Sequence, residues 1–188
     1  MSNIRYASIR SMDISNGKGV GVALFVQGCP APHCNNCFNP ETWDFNGGRE
    51  WTSVTEDKLI ELANRPYIKR LSILGGEPLA EENLNGVLHL VNKIRLSFGN
   101  SKSIWLYTGY EWDHIFDLQW HYHPQTQEKL SIGRWRRQQI VSQCDVLIDG
   151  RFVNSLRDVS LKFRGSSNQR VIDVKKSLQE GKISLYCD

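Results

Sequence analysis

The chain has 188 residues, 40% of them hydrophobic, with 23 Lys and Arg against 20 Asp and Glu. That length encloses one proper core, so a single domain over 1–188 is expected. A net charge of +3 is too small to argue for a nucleic-acid partner. No apolar run approaches the roughly 20 residues that span a bilayer, and the opening MSNIRYASIRSMD has no apolar leader segment. The expectation is therefore a cytoplasmic protein with no membrane partner. Three of the five cysteines fall within nine positions. A disulfide framework would be spread more evenly and would suit a secreted chain, so the crowded thiols point to a metal.

In chain order, VGVALFVQG (20–28) is a short β-branched apolar run ended by Gly28, which reads as a buried strand. The cysteine loop GCPAPHCNNCFNPETWDF (28–45) follows. Ser53 and Glu56 have capping-box spacing ahead of DKLIELANR, a helix that stops before Pro66. IKRLSILGG (68–76) is the next strand, and Leu84, Val87, Leu88, Val91, Ile94 and Phe98 recur at helical spacing over 80–98. SIWLYTG (103–109) and CDVLIDG (144–150) read as strands, QRVIDV (169–174) as a fifth, and KISLYC (182–187) as a weaker last one. QWHYHPQTQEKLSIG (119–133) breaks the rhythm and reads as an inserted loop, and RWRRQQ (134–139) as one solvated turn of helix. Strand and helix in alternation imply an α/β fold with parallel strands and crossover helices. Gly28, the Gly75–Gly76 pair and Gly109 close three of the strands, and ligands of such folds bind beyond the carboxyl ends of the strands.

Cys29, Cys34 and Cys37 have the spacing C-x4-C-x2-C. Thiolates are soft ligands, which leaves zinc or an iron–sulfur cluster. Structural zinc would need Cys29 or His33 to complete a tetrahedral site. A plant-type ferredoxin has this spacing but needs a fourth cysteine, and the next, Cys144, lies more than a hundred residues on. The third reading is a 4Fe–4S cluster held by three thiolates, with one iron open to a small molecule. LGGEPL (74–79) favours the third: one βα unit downstream, its two glycines let backbone groups approach a polar ligand closely.

These stretches carry a family resemblance. NGKGVGVALFVQGC leading into the loop, CFNPETWDF after the third cysteine, LGGEPL, WLYTGYEW (105–112), DVLIDGRFV (145–153) and FRGSSNQRVID (163–173) resemble a radical S-adenosylmethionine enzyme. More closely, the chain is similar to the activases of anaerobic (class III) ribonucleoside-triphosphate reductases. The family spacing is C-x3-C-x2-C, so the chain carries one residue more between Cys29 and Cys34. Extra loop residues cost only tenths of a kcal/mol in closure entropy, roughly, so the cluster is expected to survive.

The resemblance implies a partial (β/α) barrel of the radical SAM type with mainly parallel strands. It implies that Cys29, Cys34 and Cys37 hold three irons of a 4Fe–4S cluster, the fourth taking the amino and carboxylate groups of S-adenosyl-L-methionine. Asn36, Cys37 and Phe38 would lie against that cofactor, and Gly75, Gly76 and Glu77 would bond its amino group, mainly through backbone atoms. The implied partners are the large subunit of the anaerobic reductase, on which a glycyl radical is made, and an electron donor of flavodoxin or ferredoxin type. An activase of another glycyl radical enzyme and a non-catalytic iron–sulfur carrier are the alternatives. RGSSNQR (164–170) is expected to shape the mouth of the site or touch the reductase, Tyr107 and Tyr110 to meet ribose or adenine, and Cys144 to be a small buried side chain.

Overall fold

A computed structural model describes residues 4–116 and 127–187, with backbone only for 127–131. The strands are β1 (Arg5–Asp13), β2 (Gly21–Val26), β3 (Arg49–Glu50), β4 (Arg70–Gly75), β5 (Ser103–Tyr107), β6 (Val146–Asp149) and β7 (Arg170–Asp173). They form one seven-stranded sheet in the order β3-β1-β2-β4-β5-β6-β7. The four central strands β2, β4, β5 and β6 are parallel, whereas β1, β3 and β7 pair antiparallel at the flanks. The fold is thus mixed α/β and parallel in the middle.

β2 is buried at every position, as parallel strands covered on both faces are. Val22, Leu24 and Val26 join the core shared with the helices, while Ala23 and Phe25 face the other way, towards Leu74 and Tyr107. The helices are α1 (Ser53–Ala63), α2 (Leu84–Phe98), α3 (Trp112–Phe116), α4 (Gln127–Ser142) and α5 (Val174–Glu180). Along α2, Leu84, Val87, Leu90, Val91 and Ile94 are buried at helical spacing, and Leu88 and Phe98 pack at its margin. Each such side chain contributes roughly 1.5–3 kcal/mol on burial.

Several local expectations shift. The cap of α1 is Thr52, whose side chain accepts from the Thr55 N–H at 3.2 Å. Glu56 does not close a capping box; it turns inward, accepts from Trp51 Nε1 at 3.4 Å and meets His89 Nε2 at 3.0 Å. Residues 127–133 belong to α4 rather than to an inserted loop, and 119–126, with the HYH triplet, lie outside the described residues. RWRRQQ is not simply solvated: Arg137 is buried, donates to the Leu79 carbonyl at 2.9 Å and stacks over Tyr110. The 182–187 stretch makes only an isolated bridge, Leu185 to Ile172.

β1 has no apolar alternation and is held by pairing and by charge. Its last residue, Asp13, accepts from Arg70 at 2.7 Å, and Arg70 is fully buried and also bonds Ser72 Oγ and the Asp13 carbonyl. Burial works to raise the Asp13 carboxyl, but the bonds from Arg70 and Asn16 win and hold it below its ordinary value.

Candidate metal centre

The site is assembled by the backbone at the carboxyl ends of β2, β4 and β5. β2 ends at Val26, and Gly28 turns the chain with φ of +94°. Its N–H donates to the Thr42 carbonyl at 2.8 Å, and the Cys29 N–H donates to Trp43 at 3.0 Å. From β4, the N–H of Gly76 reaches the Val26 carbonyl at 2.9 Å and that of Glu77 reaches Gly28 at 2.7 Å. The Gly-Gly turn is therefore stitched to the start of the cysteine loop. Gly76 is obligatory there, because a Cβ would stand 2.3 Å from the Gly28 oxygen. With those N–H groups committed, the turn can offer a ligand acceptor oxygens, which suits an ammonium donor.

Glu77 extends the stitching. Its carboxylate accepts from Thr108 Oγ1 at 2.7 Å, the Gly109 N–H at 2.7 Å and the Leu79 N–H at 2.9 Å, tying the end of β4 to the end of β5. Burial raises its pKa against the pull of these donors and of Arg137. Glu77 is 5% exposed, so its side chain acts as a bracket beneath the turn.

Above the bracket lies a cavity of about 750 Å³, lined by Cys29, Cys34 and Cys37 and by Gly75, Gly76 and Glu77. All three thiols are free and half-buried. The Cys29 thiol is pushed up to about 11 by burial, then by the charges of Glu77, Cys34 and Cys37. The Asn39 N–H, 3.4 Å from Cys37 Sγ, is a donor to that sulfur. Among the described residues no three or more His, Cys, Asp or Glu side chains form a ready site for a single ion. A tetrahedral zinc would need four ligands drawn to within about 2.3 Å of one centre. Three free thiols on one cavity are soft donors, the ligand chemistry of an iron–sulfur cluster.

Phe38 lines this cavity but is 56% exposed, and its ring packs on Phe152 at 4.8 Å. Asn36 takes a left-handed φ of +54° and is exposed, turning the loop without lining the cavity. His33 does not line it either; its ring stacks on Trp43. A further wall, in contact with the cysteine loop through Phe38 and Phe152, comes from 150–169. Gln169 accepts from the N–H groups of Gly165 and Ser166 and donates to the Gly150 carbonyl, so one amide closes the base of this loop. Asn168 donates to the Arg151 carbonyl and Arg170 pairs with Asp149, which also accepts from the Trp112 N–H. Within RGSSNQR, then, Arg164, Gly165 and Gln169 line the cavity while Asn168 and Arg170 brace it.

Tyr107 reaches the cavity with a buried hydroxyl that has no partner among the described residues. Tyr110 also lines it, though its hydroxyl accepts from Arg137 at 3.2 Å. Asp145 serves Arg95, Lys175 and the Ile104 N–H instead of the site. Cys144 is fully buried, its thiol raised to about 12 by burial, and stands apart from the other three. Thr108, Trp43, Arg151 and Phe152 belong to the site and were not singled out in the sequence. Arg151 donates to the Pro32 carbonyl and so joins the 150–169 wall to the cysteine loop.

Three thiols and a glycine turn share one cavity at the carboxyl ends of parallel strands, a setting that suits an iron–sulfur protein. A family profile described as a 4Fe-4S single cluster domain matches residues 15–172. The protein named anaerobic ribonucleoside-triphosphate reductase-activating protein in Escherichia coli K12 is 38% identical over 170 residues, 89% of this chain and 97% of its own length. Proteins of the same name in Vibrio cholerae serotype O1 and Enterobacteria phage T4 are 34% and 32% identical over 168 residues, covering 88% and 89% of this chain and 96% and 93% of their own. The chain belongs to the family of anaerobic ribonucleoside-triphosphate reductase-activating proteins.

Proposed function

We propose that this chain activates an anaerobic ribonucleoside-triphosphate reductase as a radical S-adenosylmethionine enzyme. The observation that carries the reading is the backbone stitching of the cysteine loop to the Gly75–Gly76 turn across one cavity. Cys29, Cys34 and Cys37 would hold a 4Fe–4S cluster. When bound, the cluster would pass one electron from the external donor into the sulfonium of S-adenosylmethionine, releasing methionine and a 5′-deoxyadenosyl radical that would take hydrogen from a glycine Cα of the reductase large subunit, leaving 5′-deoxyadenosine and a glycyl radical. Acceptor oxygens of the Gly75–Gly76 turn would orient the amino group of that cofactor, with Glu77 holding the turn from below. Phe38 and Phe152 would give the cavity an apolar wall beside the cysteines, and the Tyr107 hydroxyl would be a hydrogen-bond partner for a bound polar group. The parallel core with helices on one face supports the partial (β/α) barrel of this superfamily, spanning 1–188 as one domain.

No helix among the described residues is long and apolar enough to cross a membrane. The working site is taken as the cytoplasm, with a flavodoxin or ferredoxin as electron donor and no nucleic acid. The test is anaerobic reconstitution, reduction, addition of S-adenosylmethionine and chromatography of 5′-deoxyadenosine. The nucleoside should form and should vanish in Cys34→Ala. A glycyl radical signal should then appear on added reductase. Iron uptake without nucleoside would make the chain an electron carrier, and zinc alone after reconstitution would overturn the cluster.

A further inference from the structure

Four residues separate Cys29 from Cys34 where the family has three; Pro30 and Pro32 restrict two of them, and the His33 side chain anchors the end of the loop. The His33 imidazole lies flat on the Trp43 indole, centroids 4.1 Å apart and planes 4° from parallel. Its Nε2 stands 3.0 Å from the Cys29 carbonyl. A carbonyl only accepts, so Nε2 carries the proton and is not available to a metal. Trp43 is itself fixed: its N–H donates to Pro40 and its carbonyl accepts from the Cys29 N–H at 3.0 Å. Thr42, one residue before, takes the Gly28 N–H and donates its hydroxyl to Asn39 at 2.7 Å.

Cys29 is thereby gripped on both sides of its own peptide unit, by Trp43 at the N–H and by His33 at the carbonyl. His33 is also the residue before Cys34. One ring therefore ties the backbone positions of two thiols, using a stack and a hydrogen bond that do not depend on any bound group. We infer that His33 is a positioning residue for the Cys29–Cys34 pair, setting the separation of these two sulfurs before a cluster arrives. It offsets the longer spacing by packing rather than by acting as a substitute ligand. The inference rests on the reading that these thiols hold a 4Fe–4S cluster.

The test compares wild type with His33→Ala, His33→Phe (stack without the bond) and His33→Gln (donor without the full stack). Three readouts are taken: hydrogen exchange over residues 29–34 in the metal-free protein, cluster release to a chelator, and the electron paramagnetic resonance of the reduced cluster. In His33→Ala, exchange over 29–34 should quicken and release should accelerate about tenfold, with an altered resonance line shape. The Phe and Gln variants should fall between. Wild-type release and line shape in His33→Ala overturn the positioning role, as does a fall in metal-free melting temperature that accounts for the faster release while the line shape stays unchanged. A wild-type protein that takes up no iron and sulfide overturns the functional reading beneath it, which the same samples distinguish.

Discussion

Gly76 and Asp13 show how single residues govern the ends of the strands. At Gly76 a methyl group has nowhere to go, since the atoms it meets are the backbone of Gly28 and Thr42 rather than a movable side chain. Gly76→Ala should therefore cost about 1–3 kcal/mol and separate the turn from the cysteine loop. Urea unfolding and iron content after reconstitution measure the two effects, and both should fall. Asp13 makes a different prediction because its pKa is depressed on folding from 3.8. A carboxyl with a lowered folded pKa stabilises the fold fully above its unfolded value and loses that contribution as pH falls through the folded one. Asp13→Asn leaves the Arg70 charge buried without its partner, a loss of about 3–5 kcal/mol at neutral pH. The gap between variant and wild type in urea unfolding should narrow as pH drops below 3.8. A gap constant from pH 7 to pH 3 would mean that the pair contributes nothing through charge.

Among the elements, the segment 150–169 has little regular structure and supplies eight residues to the cavity lining. It includes one 3-10 turn at Asn154–Leu156 and is closed chiefly by Gln169. Gln169→Ala should raise hydrogen exchange over 150–169 while leaving the amides of β4 and β5 protected. The KM for S-adenosylmethionine should rise severalfold, with global stability lowered by only about 1–2 kcal/mol. Unchanged exchange in this segment would show that the Arg157–Ser166 bridge and the Ser167 to Leu156 bond suffice on their own. α4 works at the same scale. Arg137, carried on it, bonds Leu79, Glu81 and Tyr110, so the helix buttresses the segment just after the Gly-Gly turn.

For the whole molecule the question is which thiols matter. Cys144 sits in the helix-side core with its Sγ donating to the Ile140 carbonyl at 3.3 Å, and Cys187 packs beside Trp105 in a separate cluster. A Cys144→Ala, Cys187→Ser double variant should keep the full iron and sulfide of wild type, whereas alanine at Cys29, Cys34 or Cys37 should abolish the cluster. Loss of iron in the double variant would place a fourth ligand where the sheet now places core. The parallel strands carry this arrangement. Their carboxyl ends fall on one edge, so loops distant in sequence, 28–45, 75–79 and 150–169, share one cavity.

The central strands, α2 and the three-cysteine loop with its glycine partner were legible in the chain because each is a local pattern. Short β-branched apolar runs, helical spacing and thiol spacing need only neighbours to be recognised. β1 was invisible for the same reason: RYASIRSMD has no apolar stripe, and it becomes a strand through pairing with β2 and β3, the packing of Tyr6 and Ile9 on the core and the Asp13–Arg70 pair. The antiparallel sense of β7 was equally undetermined, since QRVIDV would read alike in either direction. Glu77 could be placed near the site from LGGEPL, but its three donors come from Leu79, Thr108 and Gly109, and two of those lie a whole βα unit away. Likewise His33 read in the sequence as a candidate metal ligand until the fold laid it on Trp43. The sequence by itself determined which groups could bind a cluster. Only tertiary structure decided which were free to do so, because hydrogen bonds and stacking between distant residues commit some groups and leave others facing the cavity.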